Sequence, residues 1–337
     1  MLKKREIATG IFIAIVTFVI LGVTAEAVLR SRAAGHREAL EIGNEDGTLC
    51  TATSMVPGLI YSYAPGRCGN NSRGFPDVEH PEHKIADVFR IILIGDSVAE
   101  GRDVERDERF ASVLQERLNS LGHRAIYEVV VLARVGYSTS QELVLLGSEA
   151  MRLDPDLILW SYCLNDPAHP VYHNANGNLG AYYYRPGSYL FEWMRRAAFT
   201  ARERWRGRNC PDEFHERVHC IYDERIQGEV KQLGAMTRAN DIPVVFLIHP
   251  VFEEGKNLDD YSHAPLHQRL AAIAMDSGLS VLDLQPALAP YPSDEIKIRS
   301  PEYFDPWHFN ATGHRATGEA IATYLIDEEL LWKSPQN

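Results

Sequence analysis

Five short apolar runs alternate along this chain with segments that have the period of an amphipathic helix, and this alternation constrains the fold more than any other feature. Strands that alternate with helices build a parallel sheet covered on both faces, with right-handed crossovers. The sequence therefore predicts a three-layer, doubly wound α/β domain. The predicted strands are 89–95, 126–132, 156–162, 242–249 and 279–283, and the predicted helices are 108–121, 139–152, 224–239 and 264–276.

The first apolar run leads directly into a serine. Phe89–Ile94 is rich in isoleucine and leucine, and Gly95, Asp96 and Ser97 follow it. Open α/β sheets bind ligands outside the carboxyl ends of their strands, so Ser97 is predicted to lie at the mouth of a site. The alternative is an ordinary strand-to-helix turn in which Ser97 only caps the helix.

A possible base and carboxylate lie near the C-terminus, where Asp305 and His308 are three residues apart. A serine hydroxyl is a weak nucleophile until an imidazole accepts its proton, and a carboxylate holds that imidazole in the correct tautomer. The pair could instead be a surface contact or half of a metal site. Taken with Ser97, it predicts a serine hydrolase in which Ser97 is the nucleophile, His308 the base and Asp305 the orienting carboxylate.

Four blocks in this order resemble the SGNH hydrolases, also called the GDSL family of esterases and lipases. The resemblance implies a flavodoxin-like SGNH hydrolase fold, hydrolysis of esters through an acyl-enzyme, and no cofactor or metal. It also implies an oxyanion hole made by the backbone N–H groups of Ser97 and Gly136 and the side chain of Asn165. The blocks are Gly95–Ser97, Val135–Thr139 around Gly136, Asn165–Asp166, and Asp305 with His308.

The expected substrate is a small-molecule, carbohydrate or lipid ester that carries an acyl or acetyl group. Two alternatives remain at this point. The same triad could transfer an acyl or acetyl group to an extracytoplasmic polysaccharide, or the fold could serve a non-catalytic binding protein. The net charge of −12 argues against a nucleic-acid partner.

The N-terminus indicates a membrane. Lys3, Lys4 and Arg5 precede 19 uncharged residues, Ile7–Ala25, which as a helix would span about 28 Å. The basic cluster should stay cytoplasmic, so residues 1–30 are predicted to be a signal anchor and the rest to be extracytoplasmic, in the periplasm or at the cell surface. Cleavage after the small-x-small motif at 25–27 is the alternative. The length of the apolar run and the charge of Glu26 within that motif favour a retained anchor.

Cysteine spacing points to the same oxidising compartment. Cys50 and Cys68 bracket one loop-like stretch and Cys210 and Cys220 another, which predicts two short-range disulfides. Free buried thiols are the alternative. No Cys-x-x-Cys pair is present, so a structural zinc site is not expected.

The predicted organisation is an anchor over 1–30, a stalk and irregular flap over 31–85, and a catalytic domain over 86–334 with an insertion at about 167–222. Aromatic residues of the insertion could hold sugar rings or acyl chains, or could form a small core of their own. Six arginines between Arg195 and Arg208 could attract an anionic polysaccharide or lipid headgroup, or could form a solvated helix face paired with Glu203. The aromatic residues are Tyr172, Tyr182, Tyr183, Tyr184, Tyr189, Phe191, Trp193 and Trp205.

Three histidines, His249, His263 and His267, suggest a metal site. His263 and His267 are four residues apart and could share a helix face, but their flanks offer no third ligand at a metal-site spacing. The sequence therefore predicts surface or lid histidines and no metal.

Overall fold

The structure, a computed structural model, describes residues 2–35, 50–122, 125–168, 187–300 and 303–331. The strands in these ranges are β1 Thr51–Thr53, β2 Tyr61–Tyr63, β3 Val88–Gly95, β4 Ile126–Ala133, β5 Leu157–Cys163, β6 Val244–His249 and β7 Ser280–Asp283. The α-helices are α1 Leu2–Gly35, α2 Ser97–Glu100, α3 Phe110–Asn119, α4 Thr139–Ser148, α5 Tyr189–Arg206, α6 Phe214–Ile221, α7 Asp223–Arg238, α8 Ala264–Asp276, α9 Gln285–Leu288, α10 Ser293–Ile296 and α11 Ala311–Asp327.

A five-stranded parallel sheet in the order β4-β3-β5-β6-β7 forms the centre of the domain. Consecutive residues of β3, from Ile91 to Ile94, have no exposed surface, which requires cover on both faces of the sheet. Helices α3 and α11 pack together in one layer, and α7 contacts both α4 and α8 in the other. The predicted doubly wound α/β fold is confirmed, as are its five strands.

The sheet order places a topological switch beside β3. The chain runs from β3 to β4 on one side and then crosses to β5 on the other side. Loops that leave β3 and β5 therefore diverge at the carboxyl edge of the sheet and leave a crevice between them. Asp96 and Ser97 follow β3, and Asn165 follows β5, so this crevice collects residues from two of the predicted blocks.

The described part of the predicted flap, residues 50–85, packs against the domain. β1 and β2 form an antiparallel pair, and the Cys50–Cys68 disulfide closes this segment. Tyr61 and Phe75 are almost fully buried, so the flap contributes to the hydrophobic core. Residues 36–49 of the predicted stalk lie outside the described residues.

Helix α1 contains one stretch, Arg5–Arg32, that is long and apolar enough to cross a membrane. Its mean hydropathy reaches 2.5 over 18 residues, and none of that window is buried against the protein. A core helix of a soluble protein would bury such a surface. The predicted apolar helix is therefore present as a candidate membrane span.

The described part of the insertion is helical. It contains α5 and α6, and the Cys210–Cys220 disulfide links the segment between them to the last turn of α6. Both predicted disulfides are thus confirmed, and the remaining Cys163 is a buried thiol. Four of the predicted aromatic residues, Tyr172, Tyr182, Tyr183 and Tyr184, lie outside the described residues.

Candidate active site

Ser97 occupies the sharp turn between β3 and α2. Asp96 caps the helix, because its Oδ1 accepts the Val98 N–H at 2.9 Å. A Cβ on Gly95 would lie 2.7 Å from the Cβ of Ala99 and 2.9 Å from that of Ser161, so only glycine lets the strand turn this close to β5. The alternative in which Ser97 only caps the helix is wrong. Asp96 caps α2, and the Ser97 hydroxyl contacts the ring of His308 instead.

The Ser97 hydroxyl meets the ring of His308. Oγ of Ser97 lies 2.8 Å from Nε2 of His308, and Nδ1 of the same ring lies 2.7 Å from Oδ2 of Asp305. All three side chains are at least nine-tenths buried. The loop before α11 therefore brings the two C-terminal residues to the serine that was predicted as their partner.

Asp305 is held from two directions. Its Oδ1 accepts the backbone N–H groups of Trp307 at 2.9 Å and His308 at 3.1 Å, while Oδ2 accepts from the His308 ring. Burial alone would raise the pKa of Asp305, but the His308 ring and the two N–H donors outweigh it, so the pKa lies below its ordinary value. Asp305 is therefore an ionised carboxylate at neutral pH, which favours the His308 tautomer with the proton on Nδ1.

The predicted oxyanion donors follow three neighbouring strands of the sheet. Gly136 has φ +73°, a conformation that favours glycine, and no acceptor for its N–H occurs among the residues described. Ser97 begins α2, where first-turn N–H groups have no partner within the helix. The Asn165 amide lies beside this turn, with Nδ2 3.4 Å from Oδ2 of Asp96. The three predicted donors thus come from the ends of β3, β4 and β5.

The loop that carries Gly136 is braced by residues that the sequence reading did not identify. The Val135 N–H donates to Oε2 of Glu100 at 3.0 Å, and the Tyr63 hydroxyl donates to the same oxygen at 2.7 Å. Tyr61 contributes a hydrogen bond from its hydroxyl to the Val135 carbonyl. The flap and α2 together therefore hold both backbone polar groups of Val135, the residue before Gly136.

Glu100 is an unusual group for such a brace. Burial raises its pKa from 4.5 to about 7, although the Tyr63 hydroxyl, the charge of Arg109 and the Val135 N–H act in the opposite direction. Glu100 is therefore expected to change charge within the neutral range. No motif in the sequence marks this residue, which follows Ser97 by only three positions.

A second group of buried carboxyls lies beside Asn165. Burial, together with the charges of neighbouring acids, raises the pKa of Glu142 and that of Asp166 well above the ordinary range. Neither oxygen of Glu142 finds a hydrogen-bond partner within the described ranges. Both shifts favour the protonated, neutral form of the carboxyl, which reduces negative charge beside Asn165.

The prediction that the three histidines lie on the surface or in a lid is wrong. His249, His263 and His267 are all buried. The ring of His267 lies between Asp283 and Tyr261, with contacts of 2.8 and 2.9 Å, and Nε2 of His249 lies 2.9 Å from the Ser161 hydroxyl. Their surroundings depend on strand and loop packing that a local sequence pattern does not reveal.

His263 joins Glu213 and His215 in a group whose possible metal-ligand atoms lie within 4.8 Å of one another. Nε2 of His215 accepts the Trp307 indole N–H at 3.2 Å, and its Nδ1 lies 2.9 Å from Oε1 of Glu213. Because an indole only donates, the proton of neutral His215 belongs on Nδ1, facing Glu213. A metal on Nδ1 would move that proton to Nε2, where it would face the indole N–H, so two donors would meet. These contacts therefore favour a hydrogen-bond chain that holds the side chain of Trp307, which lies between Asp305 and His308 in the sequence.

Residues 93–316, about two thirds of the chain, match the sequence model of the GDSL-like Lipase/Acylhydrolase family. No curated protein matches.

Similar solved structures include an acetyl xylan esterase, at 15% identity and a TM-score of 0.47 over 70% of this chain and 100% of that one. A lipase/acylhydrolase from Enterococcus faecalis is 16% identical, with a TM-score of 0.46 over 74% and 99% of the two chains. A psychrotrophic esterase from Pseudoalteromonas is 11% identical, with a TM-score of 0.43 over 71% and 98%.

Proposed function

We propose that this chain, which belongs to the GDSL-like lipase/acylhydrolase family, is a membrane-anchored serine esterase that hydrolyses acyl or acetyl esters of carbohydrate or lipid. Membership of this family makes the chain a hydrolase of carboxylic esters. The observation that carries the finer proposal is the position of the His308 ring, which lies 2.8 Å from the Ser97 hydroxyl and 2.7 Å from the Asp305 carboxylate.

In the proposed mechanism, Oγ of Ser97 attacks the ester carbonyl carbon while Nε2 of His308 takes its proton. Asp305 holds the His308 ring and stabilises the imidazolium that forms. The N–H groups of Ser97 and Gly136 and the amide of Asn165 face the oxyanion, and one such donor lowers the barrier by roughly 3 kcal/mol. Breakdown of the tetrahedral intermediate releases the alcohol, which receives the proton from His308.

The second half of the reaction repeats these roles with water. His308 takes a proton from a water molecule as its oxygen attacks the acyl carbonyl, and the same donors meet the second oxyanion. The Ser97 ester bond then breaks, Oγ regains a proton from His308, and the carboxylic acid leaves. The chain's own residues supply every proton transfer in this scheme.

The proposed location is extracytoplasmic, with α1 retained as the anchor. Support comes from the two disulfides, which persist in oxidising compartments. Glu26, near the end of the apolar stretch, also accepts hydrogen bonds from Ser188 and Leu190 of the insertion, so α1 has specific contacts that cleavage would remove. An enzyme held there would meet esters of envelope or exported carbohydrate, or of lipid.

The test uses the full chain in detergent with p-nitrophenyl acetate and longer acyl esters, together with a fluorophosphonate probe. The variant is Ser97→Ala, and the matched control is Ser112→Ala, which removes a hydroxyl that donates to the Arg106 carbonyl. We expect the probe to label Ser97 alone, and turnover to disappear in Ser97→Ala but not in the control.

Three results would overturn the proposal. Turnover that survives Ser97→Ala would place the nucleophile elsewhere, and a folded protein with neither labelling nor turnover would remove the esterase assignment. Mass spectrometry of the products distinguishes hydrolysis from transfer, because an acyl group found on an added oligosaccharide, without free acid, would assign the triad to a transferase.

A further inference from the structure

Helix α5 has two chemically different faces. The side turned to the domain buries Tyr189, Glu192 and Arg196. The opposite side carries residues at spacings of three and four, which place them in one line along a helix of 3.6 residues per turn. We call this line the outer stripe; it consists of Phe191, Met194, Ala198, Ala201 and Trp205.

The outer stripe is apolar and exposed. The exposed fractions of Phe191, Met194 and Trp205 are 62%, 55% and 66%, so the largest side chains of the stripe face outward. The alternative that these aromatic residues form a core within the insertion is therefore wrong for Phe191 and Trp205. A continuous apolar line on the outside of a helix indicates a surface that something apolar covers.

Arginines flank the outer stripe. By helical spacing, three arginines lie along one side of the outer stripe and a fourth lies along the other. The three are Arg195, Arg202 and Arg206, and the fourth is Arg204. Within the described residues, no carboxylate lies at ion-pair distance from Arg202, Arg204 or Arg206, whereas Arg195 reaches Glu192 at 3.5 Å. An apolar line of tryptophan, phenylalanine and methionine between arginines is the pattern of a helix that lies in a membrane interface.

Contacts with α1 place the start of α5 at the end of the candidate span. Oε2 of Glu26 accepts the Ser188 hydroxyl at 3.0 Å and the Leu190 N–H at 2.8 Å. The guanidinium of Arg30 lies 4.9 Å from the centre of the Tyr189 ring. Because Glu26 and Arg30 belong to the last two turns of the apolar stretch, a membrane that α1 crosses would have its surface where α5 begins.

We propose that α5 lies in the interface of the bilayer that α1 spans, with the outer stripe against acyl chains and the flanking arginines among anionic phospholipid headgroups. This inference rests on the proposed retention of α1 as an anchor. Lipid is the occupant that explains both observations, since the stripe is apolar while its borders are cationic, and the connection to α1 puts lipid within reach. The interface helix would fix the orientation of the catalytic domain on the membrane instead of leaving it on a free tether.

The test places a nitroxide label on each face of α5 in the full chain. Ala198→Cys puts the label on the outer stripe, and Thr200→Cys is the matched control, since Thr200 is exposed on a different face. Four native cysteines are in disulfides and Cys163 is buried, so the new thiols are the reactive ones. The protein is reconstituted in vesicles of phosphatidylcholine and phosphatidylglycerol, and collisions of each label with oxygen and with a water-soluble nickel complex are measured.

At position 198 we expect collisions with oxygen to exceed those with nickel several-fold, and at position 200 we expect the reverse. Equal, water-like values at both positions would overturn the proposal, because they would show that the stripe faces solvent. A label at 198 that neither reagent reaches would assign the stripe to a protein partner or a second copy, which also overturns it.

Three further measurements separate the possible causes of failure. Met194→Glu should lower the oxygen preference at position 198, while Thr200→Glu should not. Intact mass shows whether residues 1–30 are retained; their absence would overturn the anchor and with it this placement, but would leave the Ser97 assay unaffected. Replacing phosphatidylglycerol by phosphatidylcholine should weaken the 198 signal if the arginines contact anionic headgroups, and an unchanged signal would refute that part.

Discussion

Replacement of Asp305 by asparagine is expected to inactivate the enzyme by reversing the tautomer of His308. Asparagine has nearly the same shape as aspartate, but one of its oxygens becomes an NH₂ group that can only donate. Oδ1 of Asp305 accepts two backbone N–H groups, from Trp307 and His308, whereas Oδ2 accepts from one ring nitrogen. The orientation of the new amide therefore decides the outcome.

The backbone should decide that orientation. If the amide oxygen stays where two N–H groups need an acceptor, the NH₂ group faces Nδ1 of His308, and the ring proton must move to Nε2. The opposite orientation would leave two buried N–H groups without an acceptor, at a cost of about 1–3 kcal/mol each. Asparagine should therefore favour the first orientation, in which Nε2 carries a proton and cannot take one from Ser97.

The expected loss is on the order of 10⁴ in kcat, or about 5 kcal/mol of barrier, which is the effect of a wrong histidine tautomer in a Ser-His-Asp site. KM should change little, because the interaction acts in the transition state rather than in substrate binding. Turnover of p-nitrophenyl acetate by the full chain measures both constants. Asp294→Asn is the matched control, since Asp294 is an exposed carboxylate whose partner is Lys297.

Three outcomes would contradict this reasoning. If Asp305→Asn kept kcat within tenfold of the unmodified chain while its melting temperature was unchanged, Asp305 would not set the tautomer that the reaction needs. If instead the loss appeared in KM alone, Asp305 would be acting on substrate binding. A crystal structure of the variant that showed the amide oxygen on Nδ1 would also contradict the predicted orientation.

Substitutions at Asn165, Glu100 and Cys210 test other parts of the structure. Asn165→Ala should lower kcat by roughly 10²–10³-fold with little change in KM, since it removes one proposed oxyanion donor. Fluorophosphonate should still label Ser97. An unchanged kcat would exclude Asn165 as an oxyanion donor. Because the pKa of folded Glu100 is about 7, against 4.5 for an ordinary glutamate, folding favours the protonated form. The unfolding free energy should therefore fall by about 3 kcal/mol as pH rises from 4.5 through 7, and denaturant titrations of Glu100→Gln should lack that component. Cys210→Ser should lower the unfolding free energy by about 2–4 kcal/mol, a loss that the same titrations would detect, and no change would indicate that the Cys210–Cys220 link adds nothing to stability.

The sheet and the candidate triad could be predicted from sequence because each depends on a short-range signal. Apolar runs such as 89–95 are long enough to be recognised as buried strands, and the observed β3 differs from that prediction by one residue. One predicted helix, 139–152, ends at Ser148 and continues as the 3₁₀ turn Ala150–Leu153, a common way for a helix to tighten at its end. The proposed roles of Ser97 and His308 needed only the order of the blocks.

The brace around Val135 could not be predicted in this way. Tyr63 and Glu100 meet there from segments 72 and 35 residues before Val135, and neither belongs to a periodic pattern or a motif. The same is true of His263, whose neighbours Glu213 and His215 precede it by about fifty residues in the chain. Long-range contacts of single polar residues depend on the packing of several elements, which local propensity does not determine.

The apolar line of α5 can be recognised in the sequence, but the sequence does not show which environment that line faces. The aromatic residues and arginines of α5 are evident in the sequence, and their spacing at 191, 194, 198, 201 and 205 already places one apolar line on one face. Periodicity alone would turn that line inward, because apolar faces usually pack on the core. The structure instead buries Glu192 and Arg196 on the domain side and leaves the line exposed. An exposed apolar line of this kind is stabilised when an apolar environment covers it. The attachment of α5 to the candidate membrane span is the reason for proposing lipid as that environment.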